Sequence, residues 1–272
     1  MTGRPLLALR EVADLESCLG RLGTVFAAFR AQDSGCHSYG VELPSGERWF
    51  VKAARTDAAT APVLRGRVLH RAVRHPAIVP QVHGFTADGR PAVVLPWCPG
   101  QVLYHPVAGR SGDRTDPDSP MARFRALPLP DVLAAVDVLL DAHLAVEAAG
   151  FVAVDLYDGS MLYDFAARNL RLVDLDEYRP GPFVLTEDRL PGSRRYLAPE
   201  QCTRGAVIDT RSTVFTLGRA ARLLLDAGDE ERAWRGGPAR LGVIARATDP
   251  DPSRRHPTVA ALAAAWRAAG SR

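Results

Sequence analysis

The sequence predicts a two-lobed α+β protein, and three observations carry that prediction. The first hundred residues read mainly as strands with one helix, the remainder reads mainly as helices, and Pro99-Gly100 marks a hinge between the two regimes. A chain of 272 residues is long enough to bury a separate core in each lobe. The expected division is 1–97 and 98–272, with a cleft between the lobes.

The elements follow in chain order. "SYGVELPSGERWFVK" is a hairpin whose two alternating runs are joined by Leu43 to Glu47, with Pro, Ser and Gly at the turn. "APVLRGRVLHRAVRHP" reads as a helix with Pro62 in its first turn, Pro76 beyond its end, and a stripe of Val63, Leu64, Val68, Leu69 and Val73. "AVVLPWCPG" is a buried strand that stops at Pro96. Gly109 to Pro120 is polar and turn-rich, which predicts a surface excursion. "DVLAAVDVLLDAHLAVEAAG" is the clearest helix, opened by Pro130 and Asp131 and closed by Gly150, with Val132, Val136, Leu139, Leu140 and Leu144 on one face. Two short strands, 160–163 and 170–173, precede three further helices at 213–226, 238–248 and 257–269.

Composition narrows the function. A net charge of +3, from 34 basic and 31 acidic residues, is too mild to argue for a nucleic-acid or membrane surface. Cys18, Cys36, Cys98 and Cys202 are scattered and no His stands at ligand spacing, so they read as reduced thiols rather than a zinc site. Without a charged leader and apolar core at the start, or an apolar run of about 20 residues, the expectation is a soluble cytoplasmic protein. Its oligomeric state is left open.

The chemistry lies in carboxylates set among strand-like residues. "FVAVDLYDGSMLYDF" carries Asp155, Asp158 and Asp164, and "LRLVDLD" carries Asp174. Carboxylates are costly to bury unless they are paired, bind metal or do chemistry. Asp158, next to Gly159, reads as a turn former and Asp164 as a loop residue. Asp155 and Asp174 lie at the ends of a short hairpin and converge. With Lys52 at the end of "RWFVK", they make the minimum set for phosphoryl transfer: a lysine on phosphate, a carboxylate orienting a hydroxyl and a carboxylate on Mg²⁺.

The order of Lys52, "HPAIV", "VDLYDGS", "VDLD", "GSRRYLAPE" and "DPSRRHP" resembles the protein kinase family across nearly the whole chain. The resemblance implies a protein-kinase-like fold that binds ATP and Mg²⁺. Asp155 matches the catalytic aspartate, and Asp174 the metal-binding one. Ser160 stands where the family's metal-binding Asn falls, and Asp176, two residues past Asp174, would face the same way in extended backbone. Lys52 would hold phosphate, Gly35 falls at one glycine of the phosphate loop, Leu95 is the gatekeeper, and Pro96, Trp97 and Cys98 face adenine. Glu200 would pair with Arg255, or with Arg254. Asp209 would start the central helix of the second lobe and steady the catalytic loop.

The chain also departs from the family. The phosphate loop keeps only Gly35, and the helix acid expected near Gly66 is missing among Arg65, Arg67, Arg71 and Arg74, leaving Asp174 as the best partner for Lys52. Those arginines form either a solvated face or a docking patch. Val154 replaces an arginine and Tyr157 a lysine. Phe50, two residues from Lys52 and on the same strand face, would crowd the adenine pocket. Three functions stay open: a Ser/Thr protein kinase, favoured by the peptide shelf "GSRRYLAPE"; a small-molecule kinase of the aminoglycoside or choline type, favoured by Tyr157 and Asp174-Leu175-Asp176; and a pseudokinase acting as a binding module.

Overall fold

The computed structural model describes residues 5–32, 34–104 and 112–270. They fall into two units, the first comprising 1–74 and 79–98, the second 75–78 and 99–272. Residues His75–Ile78 leave the first part of the chain because Ala77 O accepts the Leu172 amide at 2.6 Å and Ile78 bridges Leu172.

The first unit is built on a six-stranded sheet. Its elements are β1 (Glu11–Val12), α1 (Leu15–Leu22), β2 (Thr24–Phe29), β3 (Cys36–Glu42), β4 (Arg48–Ala54), α2 (Asp57–Ala72), β5 (His83–Ala87) and β6 (Arg90–Pro96), in sheet order β1-β5-β6-β4-β3-β2. The β3–β4 hairpin pairs Glu42 with Arg48 across the expected turn. One face buries Tyr39, Val41, Trp49, Val51, Ala53 and Val94 against Leu15 and Leu19 of α1. That helix is an addition to the strands expected there; Asp14 caps it by accepting the Ser17 amide at 3.0 Å, and Leu15, Cys18, Leu19 and Leu22 keep helical spacing.

Helix α2 differs from expectation in two ways. Thr56 is its N-cap, accepting from the Ala59 amide, so the helix starts at Asp57 and Pro62 lies inside it rather than in its first turn. The buried stripe is Ala59, Val63, Gly66, Leu69, His70 and Val73, whereas Leu64 and Val68 remain 44% and 52% exposed. Burial lowers the His70 imidazole to about 4, so it is neutral at pH 7.

The second unit contains β7 (Gln101–Val102), α3 (Pro120–Arg125), α4 (Leu129–Ala148), β8 (Phe151–Val152), β9 (Met161–Asp164), β10 (Asn169–Leu172), β11 (Arg179–Pro180), β12 (Phe183–Val184), β13 (Val207–Ile208), α5 (Thr210–Leu224), α6 (Gly237–Ala247) and α7 (Val259–Gly270). Strands β10, β9 and β7 form one small sheet. The apolar face of α4 buries Val132, Val136, Leu139 and Leu140, while Leu144 is half-buried. Helix α7 is fastened to α4 at both ends. Glu147 accepts the Val259 and Ala260 amides at 2.7 and 3.1 Å, and Trp266 Nε1 donates to Asp137 at 2.8 Å.

Of the predicted excursion, residues 109–111 lie outside the described residues. The part that follows is no simple surface loop. The Arg114 guanidinium packs 3.6 Å from the Tyr104 ring centroid and grips Asp158 through two nitrogens.

Proline inside α2 cannot donate to the Ala58 carbonyl. Pro62→Ala is expected to raise stability by about 2 kcal/mol, the restored helix bond offset in part by a freer unfolded chain. Denaturant titration checks this; an unchanged or lower midpoint would show that the ring's packing outweighs the missing bond.

Candidate functional site

The loop carrying Asp155 is held by its neighbours on alternate sides. Val152 and Val154 enter an apolar cluster with Leu185, Leu190 and Ile208, and Leu156 is also buried. The Ala153 amide donates to Thr213 Oγ1 on α5 at 3.0 Å. Between these anchors Asp155 sits half-buried at φ +59°. A non-glycine residue in the left-handed region is strained and persists only where its surroundings impose it. Asp174 has φ +58°, so both candidate carboxylates occupy this region.

Ser160 connects the two carboxylate-bearing loops. Its hydroxyl donates to Asp155 O at 3.3 Å, and its carbonyl accepts the Val173 amide at 3.0 Å. It is fully buried. In this arrangement it braces the loops instead of presenting an open metal ligand.

Asp174 and Asp176 do not face the same way. The left-handed backbone at Asp174 interrupts the alternation of an extended strand, leaving Asp174 exposed while Asp176 is buried in the turn closed by Tyr178 N to Leu175 O. Tyr178 itself is buried. It donates to His143 Nε2 at 2.8 Å, because His143 Nδ1 is committed to Leu139 O at 2.7 Å. Burial holds that imidazole at about 4, and burial followed by the Asp155 charge pushes the phenol well above its usual range. Both partners are therefore neutral at pH 7.

The segment "GSRRYLAPE" reaches Asp155 through its first residue. Gly192 has φ +126°, and a Cβ there would lie 3.2 Å from Asp155 Oδ1 and 3.3 Å from its Cα. Its other end is anchored by Glu200, which takes both guanidinium ends of Arg255 at 2.7 and 2.9 Å and the Ser212 hydroxyl at 2.7 Å. Arg255 also donates to the carbonyls of Asp249, Arg211 and Pro250, so all five of its N–H groups have acceptors. Arg254, by contrast, is exposed and pairs with Asp251. Burial raises the Glu200 carboxyl, but the Arg255 and Ser212 hydrogen bonds outweigh it and leave a net lowering.

One assignment changes and another gains a partner. Asp209 caps α5, accepting from the Arg211 amide and side chain, and it is Thr213, one turn on, that bonds the Asp155 loop. Asp158 opens the 3-10 turn Asp158–Ser160 as expected, and its side chain is in addition a wholly buried ion-pair partner of Arg114. Arg114 lies 44 positions earlier, so local turn chemistry could not disclose the pair. Asp164 does act as a loop residue, accepting from the Ala166 and Ala167 amides.

The remaining predicted residues lie in the first unit. Lys52 is buried on β4, opposite Ser38 and Val93, and Phe50 shares its face opposite Gly40 and Leu95. This face carries an aromatic cluster: Phe26 and Trp97 meet edge to face at 4.7 Å, Phe50 lies 6.2 Å from Trp97, and Phe29 lies 6.4 Å from Phe50. Gly40 is required beneath it, since a Cβ would stand 2.7 Å from the Phe26 ring and 2.9 Å from Trp97. The Trp97 amide donates to Arg48 O, and Cys98 Sγ to Pro96 O. Gly35 has φ +68°, and Thr56 Oγ1 fills the space its missing side chain leaves, 2.5 Å from where a Cβ would be. Among the described residues, no group of three or more His, Cys, Asp or Glu is placed to hold a metal ion, and no helix is long and apolar enough to cross a membrane.

Solved structures identify the architecture as protein-kinase-like. The kinase domain of Mycobacterium tuberculosis PknI, in a cysteine-to-alanine variant, superposes with a TM-score of 0.65 at 20% identity, covering 92% of this chain and 96% of that one. A second structure of the same kinase domain gives a TM-score of 0.64 at 20% identity, covering 91% and 96%. The chain thus has an α+β kinase-like fold. No protein-family model matches it, nor does any curated protein.

Glu200→Ala leaves a buried guanidinium without its carboxylate and is expected to cost about 3–5 kcal/mol. Glu200 is held below the ordinary value of 4.5. Its contribution is therefore complete above that pH and lost as pH falls through the lower folded value. Thermal melts of both proteins across pH 3–7 check this; a gap that persists undiminished in acid would rule out the linkage.

Proposed function

We propose that this chain is an ATP- and Mg²⁺-dependent phosphotransferase of the Ser/Thr protein kinase type, moving the γ-phosphoryl group to a polypeptide hydroxyl. What carries the reading is the approach of Gly192 to the Asp155 carboxylate. A peptide laid along the segment that begins at Gly192 brings its hydroxyl to that carboxylate. Asp155 would orient the hydroxyl and accept its proton as the new O–P bond forms. Asp174, exposed beyond β10, offers the hard oxygen that Mg²⁺ prefers, and the ion would neutralise charge on the phosphate oxygens. Lys52 is the phosphate-holding cation of the first unit, and the likeness to a kinase domain supports the reaction class. The small-molecule reading loses the support of the acidic triplet, since Asp176 is buried in a turn.

A second reading, nucleotide or partner binding without turnover, is favoured by the aromatic cluster over Gly40 and by the absence of an acid from α2 after Asp57.

Asp155→Asn should abolish transfer with little change in nucleotide affinity, a loss of about 10³-fold corresponding to about 4 kcal/mol of transition-state stabilisation. Turnover of ATP by wild type and variant, with mass spectrometry for autophosphorylation, is the measurement. Equal turnover would remove Asp155 from the mechanism, and none in either protein would favour the second reading. Asp174→Ala should abolish the Mg²⁺ dependence of ATP binding, read as a thermal shift.

The Phe50 ring lies on the same strand face as Lys52 and packs with Phe29 and Trp97. Phe50→Ala is expected to tighten binding of an ATP analogue by about 1 kcal/mol, the size of one relieved overpacking. Weaker binding by calorimetry would make the ring a stacking platform instead.

A further inference from the structure

The second unit holds a cavity of about 460 Å³ whose wall includes Arg114, Arg125 and Arg235, with Thr115, Ala126 and Gly228 between them. Among the described residues no acidic side chain lines it. Each arginine has a structural use. Arg114 grips Asp158, Arg125 donates to Leu223 O and Asp229, and Arg235 donates to the carbonyls of Arg125 and Leu127. These uses do not balance the charge. Asp229 is a single carboxylate shared between Arg125 and Arg195, at 2.6 and 2.7 Å. Arg235 has no ion pair among the described residues, and carbonyl dipoles leave its charge uncancelled. Asp226, on the same loop, is turned to the amides of Gly228 and Ala233. The wall is thus electropositive and concave, and guanidinium groups favour carboxylate and phosphate oxygens.

The cavity wall is linked to the surroundings of Asp155 from two sides. Arg195 belongs to the segment whose Gly192 lies against Asp155, and Asp229 ties Arg195 directly to Arg125 in the cavity wall. From the other side, Arg114 joins the wall to Asp158, three residues beyond Asp155. A polypeptide crossing the Gly192 segment with its hydroxyl at Asp155 would therefore carry a neighbouring side chain into the cavity. We propose that the cavity docks an acidic side chain, carboxylate or phosphorylated, that flanks the target hydroxyl of a polypeptide substrate. This substrate preference rests on the phosphotransferase reading, but the docking itself is measurable without turnover.

The experiment is calorimetric titration of the full chain, without ATP, against a serine peptide flanked by glutamates. Controls are the same peptide with glutamine or lysine in their place, and inorganic phosphate. The acidic peptide should bind, lose affinity with added salt, and outbind both peptide controls. Ala126 is exposed at the end of α3, so Ala126→Glu adds a carboxylate to the wall with little effect on folding. This variant, and Arg235→Gln separately, should weaken acidic-peptide binding by about tenfold or more, as expected for a like charge set against an anion or a lost cation. Equal binding of acidic and glutamine peptides overturns the proposal, as does wild-type affinity in Ala126→Glu at an unchanged melting temperature. Binding of phosphate alone would reassign the cavity to a small anion and overturn the polypeptide. An inactive chain that still selects the acidic peptide would sink only the phosphotransferase reading. Turnover without acidic preference would sink only this proposal.

Discussion

The second unit depends on one buried ion pair, Glu200 with Arg255. The pair joins the end of the "GSRRYLAPE" segment, the first turn of α5 through Ser212 and Arg211, and the loop at Asp249 and Pro250 that leads to α7. A buried guanidinium is tolerable only when every N–H has an acceptor, and here each of the five does. The same condition makes the site unforgiving: a lysine offers a point charge in place of a planar fork and leaves several carbonyls unmatched. With its far end fixed this way, the segment can bring Gly192 against Asp155.

The backbone around Asp155 is held by its neighbours. The residues on either side are buried, one of them in a valine- and leucine-lined cluster, and the Ala153 amide is claimed by Thr213 on the central helix. Between these anchors Asp155 takes a left-handed conformation, at φ +59°. Val154 is part of this framework. It lies in the apolar cluster with Val152, Leu185, Leu190 and Ile208, so packing orders the loop on that side.

The two units show opposite treatments of charge. In the first, Lys52 shares its strand face with an aromatic cluster that requires glycine at position 40. In the second, arginines outnumber their carboxylates around one cavity while the acids behind them are already engaged. Buried aromatic surface contributes stability at the cost of open volume, whereas an uncancelled cationic wall stores affinity for an anion.

The β3–β4 hairpin, the β9–β10 hairpin and helices α2, α4, α5, α6 and α7 were legible from the chain alone. Each is specified by local periodicity and by Gly, Pro or Asp at its ends, interactions within a few residues. The Glu200–Arg255 pair was legible too, through resemblance of two motifs 55 residues apart. Helix α1 is hard to tell from the strands around it although its cap and spacing are local, because eight residues carry little periodic signal. Four other features were decided only by tertiary structure: the opposite exposure of Asp174 and Asp176, the exposure of Leu64 and Val68, the burial of Asp158 by Arg114, and the replacement of Asp209 by Thr213 at the Asp155 loop. In three of these the partner is remote in sequence or the backbone leaves its regular conformation, and for Leu64 and Val68 the packing of the helix decides which part of the apolar stripe is covered. Periodicity gives which residues share a face only while the chain stays helical or extended, whereas which face is covered, and which charge finds a partner, is settled once distant segments are packed together.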